Sequence, residues 1–529
     1  MIRPAVRFGM ALFVVGFLWS STRAAPPLSE RIDALVMAKA NGRAASPLAD
    51  DAEFLRRAYL DLAGVIPSVQ EARAFLDDTD PGKRAKMIDK LLSGPDYPRR
   101  MAEFFHVMLM ERRGDHAQWQ EYLHSSFAQN KPWDQMAREI LCGFSDSKET
   151  RGAPFFYSKR LERYGQNPAD YPGLTRDVGR MFLGIDLQCA QCHNHVHIKD
   201  YKQADYQGLF AFFTNVYLND PKMPSIGERP FTKKVEFVSV FGFTKKQTGP
   251  RVPGMKEIEV PNYKQGEEYA RKPDNKKKDP GRLKFSPLSK LAEQVPQSDA
   301  FARNAVNRLW FLMMGRGIVH PLDLHHSKNP PSHPELLDLL AKEFVAHKYD
   351  IKWLLGEIAR SQTYQRSSML PENQKVFQPE SFLTAHEKLI GAEQLMWSVL
   401  QATGELERTR QFAAGIDSLR SLFVKAFANP PKEPEIEFNP SLKGALFILN
   451  NNAVQQLLVP RPGNLVDRLS KLPDDKVAEE LYLSVLTRLP TADEKSEVED
   501  YLAQKTDRVK ALQQLAWALL ASTEFCVNH

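Results

Sequence analysis

Nine residues constrain this chain more than any other stretch: Cys189-Ala190-Gln191-Cys192-His193-Asn194-His195-Val196-His197. They hold two of only four cysteines, with three alternating histidines at and behind the second. A chance Cys-x-x-Cys-His run in so cysteine-poor a chain has odds on the order of one in a thousand. The pattern is the attachment signature of a c-type haem, in which both thiols add to the porphyrin vinyl groups and the adjacent His193 becomes the proximal iron ligand. His195 is too near in sequence to reach the opposite face of the ring easily, and Met223 is a candidate for that position. A solvent-facing or packed methionine is the plainer reading of Met223.

The same residues support other chemistry. Two thiolates and two imidazoles, from Cys189, Cys192, His195 and His197, would satisfy a tetrahedral zinc site, although structural zinc usually draws ligands from two separate segments. A Cys189–Cys192 disulfide, redox-active or purely structural, is a third reading, but a thioredoxin-like β-α-β setting is missing around it. Cys142 and Cys526 read as buried thiols that could also pair with each other. A second histidine group, His320, His325, His326 and His333 with Asp323, lies in a Pro-rich loop. It could bind metal or act as acid and base, although such loops are more often structural.

The rest of the chain is read as mainly α-helical: two helical domains joined by a small β-rich connector. Residues 1–24 have the form of a signal peptide, with Arg3 and Arg7 before the apolar run Phe8 to Trp19 and Ala24 at the cut. That run is too short to span a membrane, so export to a secreted or periplasmic location is expected, a compartment that suits haem attachment and disulfides. Helical spacing of apolar residues recurs over 25–218 and 291–529. A helix is expected over Thr175–Gln188, carrying the cysteine motif at its end. Capping boxes are expected at Ser332-x-x-Glu335 and Thr491-x-x-Glu494. Residues 219–290, rich in Pro, Gly and Lys, suggest strands at Val235–Phe243 and Glu257–Val260. A net charge of +6 is small for 529 residues and does not argue for a nucleic-acid binder, where a concentrated basic face would be expected. Phosphate loops, G-x-S-x-G elbows and carboxylate pairs at diagnostic spacing are absent.

The stretch MFLGIDLQCAQCHNHVHIKDYKQADYQGLFAFF (181–213) resembles the core of a secreted cytochrome-like domain of unknown function from planctomycete-type proteins. DLAGVIPSVQEARAFLDD and PGKRAKMIDKLLSGPDYPRRMAEFF resemble that domain's opening. FARNAVNRLWFLMMGRGIVHPLDLHHSKNPPSHPELLDLL and the ending LYLSVLTRLPTADEKSEVEDYLAQ resemble its C-terminal companion, also of unknown function. The resemblance implies a two-domain exported protein with a C-x-x-C-H-x-H site at Cys189, Cys192, His193 and His195. It implies no reaction. Where the companion usually has a Cys- and Arg-rich element, this chain reads Pro434-Glu435-Ile436-Glu437-Phe438.

The leading expectation is therefore a haem c redox or electron-transfer module with a protein redox partner. Two others stand beside it. One is a non-redox extracellular binding or assembly protein with a structural Cys/His site holding zinc or no cofactor; the other is an extracellular metal-dependent hydrolase using the His-rich loop.

Overall fold

The computed structural model describes residues 26–529 except 146, 164, 371–375, 412, 436–446 and 448–450. The signal-peptide reading of residues 1–24 falls outside them, as do Ile436, Glu437 and Phe438.

Among the described residues ten α-helices come first, and local sequence chemistry sets most of their ends. They are α1 (Leu28–Ala38), α2 (Asp51–Ala58), α3 (Val69–Asp77), α4 (Lys83–Ser93) and α5 (Asp96–Met110), then α6 (Ala117–Ala128), α7 (Trp133–Cys142), α8 (Phe155–Arg160), α9 (Tyr171–Leu183) and α10 (Gln203–Ala211). Ser68 caps α3 in a reciprocal box with Glu71, satisfying two backbone N–H groups at once. Along α5, Tyr97, Met101, Phe105 and Leu109 repeat every four residues and are buried together. His106, on the same helix, is an ordinary core residue whose Nδ1 accepts from the Trp119 indole N–H at 3.0 Å.

The connector forms three two-stranded antiparallel pairs. These are β1 (Val216–Asp220) with β2 (Ser225–Glu228), β3 (Val235–Phe237) with β4 (Lys246–Thr248), and β5 (Tyr269–Arg271) with β6 (Arg282–Leu283). The strand expected over Val235–Phe243 is cut short at Phe237, and Glu257–Val260 is not a strand. The Glu257 carboxylate instead holds Lys234, and Ile258 N–H bonds the Pro250 carbonyl. β-Branched content raises strand propensity, but tertiary contacts decide whether a strand forms.

Helices then resume with α11 (Pro287–Gln294), α12 (Asp299–Met314), α13 (Pro334–Ala346), α14 (Ile351–Arg360), α15 (Gln362–Gln365) and α16 (Ala392–Thr403). Asp474–Leu486, Ala492–Ala503 and Arg508–Leu520 form a closing helical group. The capping box at Thr491 and Glu494 is present. The one expected at Ser332 is not: Pro334 starts α13, His333 is the N-cap residue, and the Ser332 hydroxyl bonds the Ile318 carbonyl. The fold is mainly α, and no described helix is long and apolar enough to cross a membrane.

One hydrophobic core runs from Leu28 to Phe525. Trp133 is stacked between Phe182 and Phe301, at centroid separations of 6.0 and 6.1 Å, and so ties α9 to α12. The ends of the chain are also tied together. Arg57 donates to the carbonyls of Tyr364, Arg366 and His529, and Leu389 pairs with Val527 in a short bridge of strands. The halves on either side of the connector therefore share their interior.

Candidate functional site

Helix α9 does not run into the cysteine motif as expected. It stops at Gly184, whose left-handed conformation (φ 70°) suits a residue without a side chain. A Cβ there would also lie 2.8 Å from the His325 ring. Asp186 restarts the chain: it binds the Arg176 guanidinium and accepts the Gln188 N–H at 3.0 Å. That bond opens a single 3-10 turn, Gln188–Gln191, and the motif rides on it.

The loop is held from below by its backbone. Ala190 is fully buried in a small cluster with Leu187, Tyr201 and Tyr206, separate from the main core. Gln207 donates to the Gln191 carbonyl at 2.9 Å, Gln203 N–H to Asn194 Oδ1 at 2.9 Å, and Val240 N–H to the Cys192 carbonyl at 3.1 Å. The last of these brings the β3–β4 loop of the connector over the motif. Cys189 and Cys192 remain exposed, free thiols.

The three motif histidines differ in what their rings do. His193 Nδ1 is 2.6 Å from the Asn194 carbonyl, so this nitrogen donates and Nε2 keeps an open lone pair. Its ring lies 4.7 Å from that of Phe241. His195 Nδ1 accepts from the backbone N–H of His197 and Ile198 at 3.1 and 3.0 Å, so the proton of its neutral form is on Nε2 and no lone pair is left over. His197 is exposed. Among the described residues no group of three or more His, Cys, Asp or Glu is gathered as a metal site. Met223 stands exposed in the turn between β1 and β2, whereas the loop that bonds the motif is the one between β3 and β4.

An apolar fringe surrounds the loop. Val196, Val238, Val240, Phe241 and Phe243 are all exposed, Phe241 by 75% and Phe243 completely. Single exposed apolar side chains are ordinary, but five beside one motif form a patch.

The His-rich loop abuts the motif from the other side. His325 N–H bonds the Gly184 carbonyl, Leu324 bridges Ile185, and Tyr201 lies between the rings of His195 and His326 at 6.2 and 5.3 Å. The loop's own histidines do not converge. Burial, reinforced by Arg308, pushes His325 down to about 4, and burial does the same to His333, which packs on Phe382. The Cys142–Cys526 pairing is also ruled out: Cys142 faces Ser289, and Cys526, next to Arg56, is a free thiol raised to about 11 by burial.

A second site was invisible in the sequence. A cavity of about 450 Å³ opens between α5, α12 and α16, lined by charges from distant segments. Arg180 joins Glu111 to Asp323, and Asp323 also takes Arg308. Burial raises the Asp323 pKa, but the two arginines outweigh it and hold the carboxyl below its usual range. Glu393 and Glu435 share Arg112 across the cavity mouth, and Lys388 reaches Asp61 at 2.6 Å. The only sequence signal for this site is charge set inside apolar helical rows, as in Leu60-Asp61-Leu62 and Arg100-Met101.

With this geometry in place, the comparisons with known proteins locate both regions. Residues 31–217 match the family described as PSCyt2, protein of unknown function (DUF1549), and residues 289–419 match the one described as PSD1, protein of unknown function (DUF1553). The chain thus carries one domain of each in that order. The cysteine motif lies in the first matched segment and the His-rich loop in the second, so their contact joins the two. No curated protein and no solved structure matches the chain.

Proposed function

We propose that this chain is an exported two-domain protein that carries a covalent c-type haem on the Cys189–His193 loop and works as a redox or electron-transfer module. The observation that carries the reading is the state of His193. Its Nδ1 is bonded to a backbone carbonyl, which fixes the tautomer and leaves Nε2 as the nitrogen with an unshared pair; outer hydrogen bonds of this type orient iron-ligating histidines. Beside it are two exposed free thiols at the required spacing and a rim of exposed valine and phenylalanine, whose cover would be an apolar ring system.

The residues present fit the group. Cys189 and Cys192 would hold it through two thioethers, each formed when S–H adds across a vinyl double bond, and His193 Nε2 would be the proximal ligand. Bound there, haem supplies reversible one-electron transfer. The polypeptide would hold the loop rigid from below through Gln203, Gln207 and Asn194 and keep Phe241 packed on the His193 ring. His195, with Nδ1 committed to two backbone N–H groups, would shape the loop and leave the iron to His193. Export is part of the reading because c-type haem is attached outside the cytoplasm, and residues 1–24 have the pattern of a leader. A protein electron donor or acceptor is the expected partner.

The test is the visible spectrum of the mature chain, made in an exporting host with c-type haem maturation, beside Cys189→Ala/Cys192→Ala. A Soret band near roughly 410 nm that survives denaturation and is missing from the double variant supports the assignment. A colourless protein, from a host that matures a control cytochrome, overturns it and leaves an exported binding protein with exposed thiols.

A further inference from the structure

We infer that the central cavity is a binding site for a small organic monocarboxylate with an apolar body, received by Arg100. The inference does not depend on the haem reading, since it concerns a different part of the molecule and holds for the colourless protein as well.

The volume, about 450 Å³, is that of a small-molecule site; such pockets run from about 300 to 1,000 Å³ and combine an apolar lining with a few placed polar groups. Here the apolar lining comes from Phe104, Met108, Phe311, Leu312 and Leu322. The placed polar group is the Arg100 guanidinium. Arg100 is 8% exposed and lines the cavity, yet it makes no ion pair among the described residues. Its Nε has one long bond of 3.4 Å to the Asp61 carbonyl, and its guanidinium lies 5.9 Å from the Phe104 ring. Burial lowers its pKa, but an arginine so lowered still carries its charge at neutral pH.

A buried, unpaired cation is costly, and proteins normally supply it with a carboxylate. The carboxylates that act on Arg100, those of Asp61, Glu103 and Glu393, are bonded to other groups. Asp61 Oδ1 accepts from Lys388 and Asn528, and Oδ2 from the Tyr364 hydroxyl. Glu103 accepts from Arg99 and the Trp397 indole, and Glu393 is held by Arg112. One positive charge therefore lines the cavity with no ion pair and no hydrogen bond from its terminal nitrogens among the described residues, and Asp61, Glu103 and Glu393 act on it only through space. A carboxylate matches that fork in charge and in two-point geometry. A dianion would meet the surrounding carboxylates, with the exposed Glu387 at the mouth, and fits less well.

The probe is 4-fluorophenylacetate, followed by fluorine NMR on the full chain, with 4-fluorobenzyl alcohol as its neutral analogue. Saturable binding of the acid, little or none of the alcohol, and a loss of at least about tenfold in Arg100→Met would support the site. A second measurement keeps the question open to an answer if that variant fails to fold. Phenylglyoxal modification of Arg100 in the wild-type chain, mapped by mass spectrometry, should be slowed by the acid and not by the alcohol. The inference is overturned by absent binding of the acid, by equal binding of both probes, by undiminished binding in folded Arg100→Met, or by modification of Arg100 that the acid does not slow.

Discussion

The cysteine loop and the central cavity are built in opposite ways. The loop concentrates its chemistry in nine consecutive residues, exposes both thiols, and rests on a cluster of only four buried side chains. The cavity assembles its chemistry from segments far apart in the chain and buries nearly all of it in paired charges. The contrast teaches where each kind of group can exist. Reactive thiols need access, so they sit on a surface turn. Buried charges need partners, and partners from other helices commit the whole fold to one arrangement. Changes to the loop should therefore be felt in its chemistry, and changes around the cavity in stability.

The largest expected effect is at the cavity. Arg180→Ala would leave Glu111 and Asp323 buried without their shared partner. Glu111 keeps Arg113 and Asp323 keeps Arg308, so the loss should fall at or below the about 3–5 kcal/mol of a buried pair broken outright. Denaturant midpoints of wild type and variant, compared at constant slope, check this. A loss below about 1 kcal/mol would mean that the network is solvated, and the contrast between the two regions would fail.

His325 stands between the two regions, bonded to Gly184 below the motif and close to Arg308 beside the cavity, and it makes stability depend on pH. Its folded pKa of about 4 is below the unfolded value of 6.5, because burial disfavours the charged ring. The unfolded chain thus binds the proton more readily, so the stability His325 supports is present above pH 6.5 and is lost as pH falls toward 4. At about 1.4 kcal/mol per unit, the full loss is about 3 kcal/mol. Glu228 works in the opposite direction. Burial raises it to about 7 in the fold, so its contribution is lost as pH rises from 4.5 toward 7. Unfolding free energies measured at intervals from pH 8 to pH 4 in wild type and His325→Gln separate the two. The variant should lose less stability on acidification, and identical slopes would place His325 in water.

How much of this was legible follows from the same contrast. Helix positions were, because α5 and α12 carry unbroken apolar rows and Ser68 and Thr491 carry complete caps. The end of α9 was misplaced because Val178, Phe182 and Ile185 continue the helical spacing past the point where Gly184 turns the chain. Ser332 and Glu335 had the spacing of a cap, but the Ile318 carbonyl, brought by the fold, claimed the hydroxyl. The cysteine motif could be found because its parts are neighbours in sequence. The cavity could not, because nothing local in Asp61, Arg100, Arg180 or Glu393 says that they will meet.

The smallest expected effect is at the loop itself. In protein without haem, Cys189→Ser/Cys192→Ser removes two exposed thiols that hold no other part of the fold. The loop is fixed by main-chain carbonyls and by Ala190, none of which the substitution touches. Exposed substitutions of this kind change stability by about 0.5 kcal/mol or less. The unfolding midpoint should match wild type under reducing conditions, while alkylation by iodoacetamide, read by intact mass, should fall by two sites. A loss above about 2 kcal/mol would show the thiols engaged in a contact of their own, such as a bound metal, and would move the motif from the exposed class of site into the buried one.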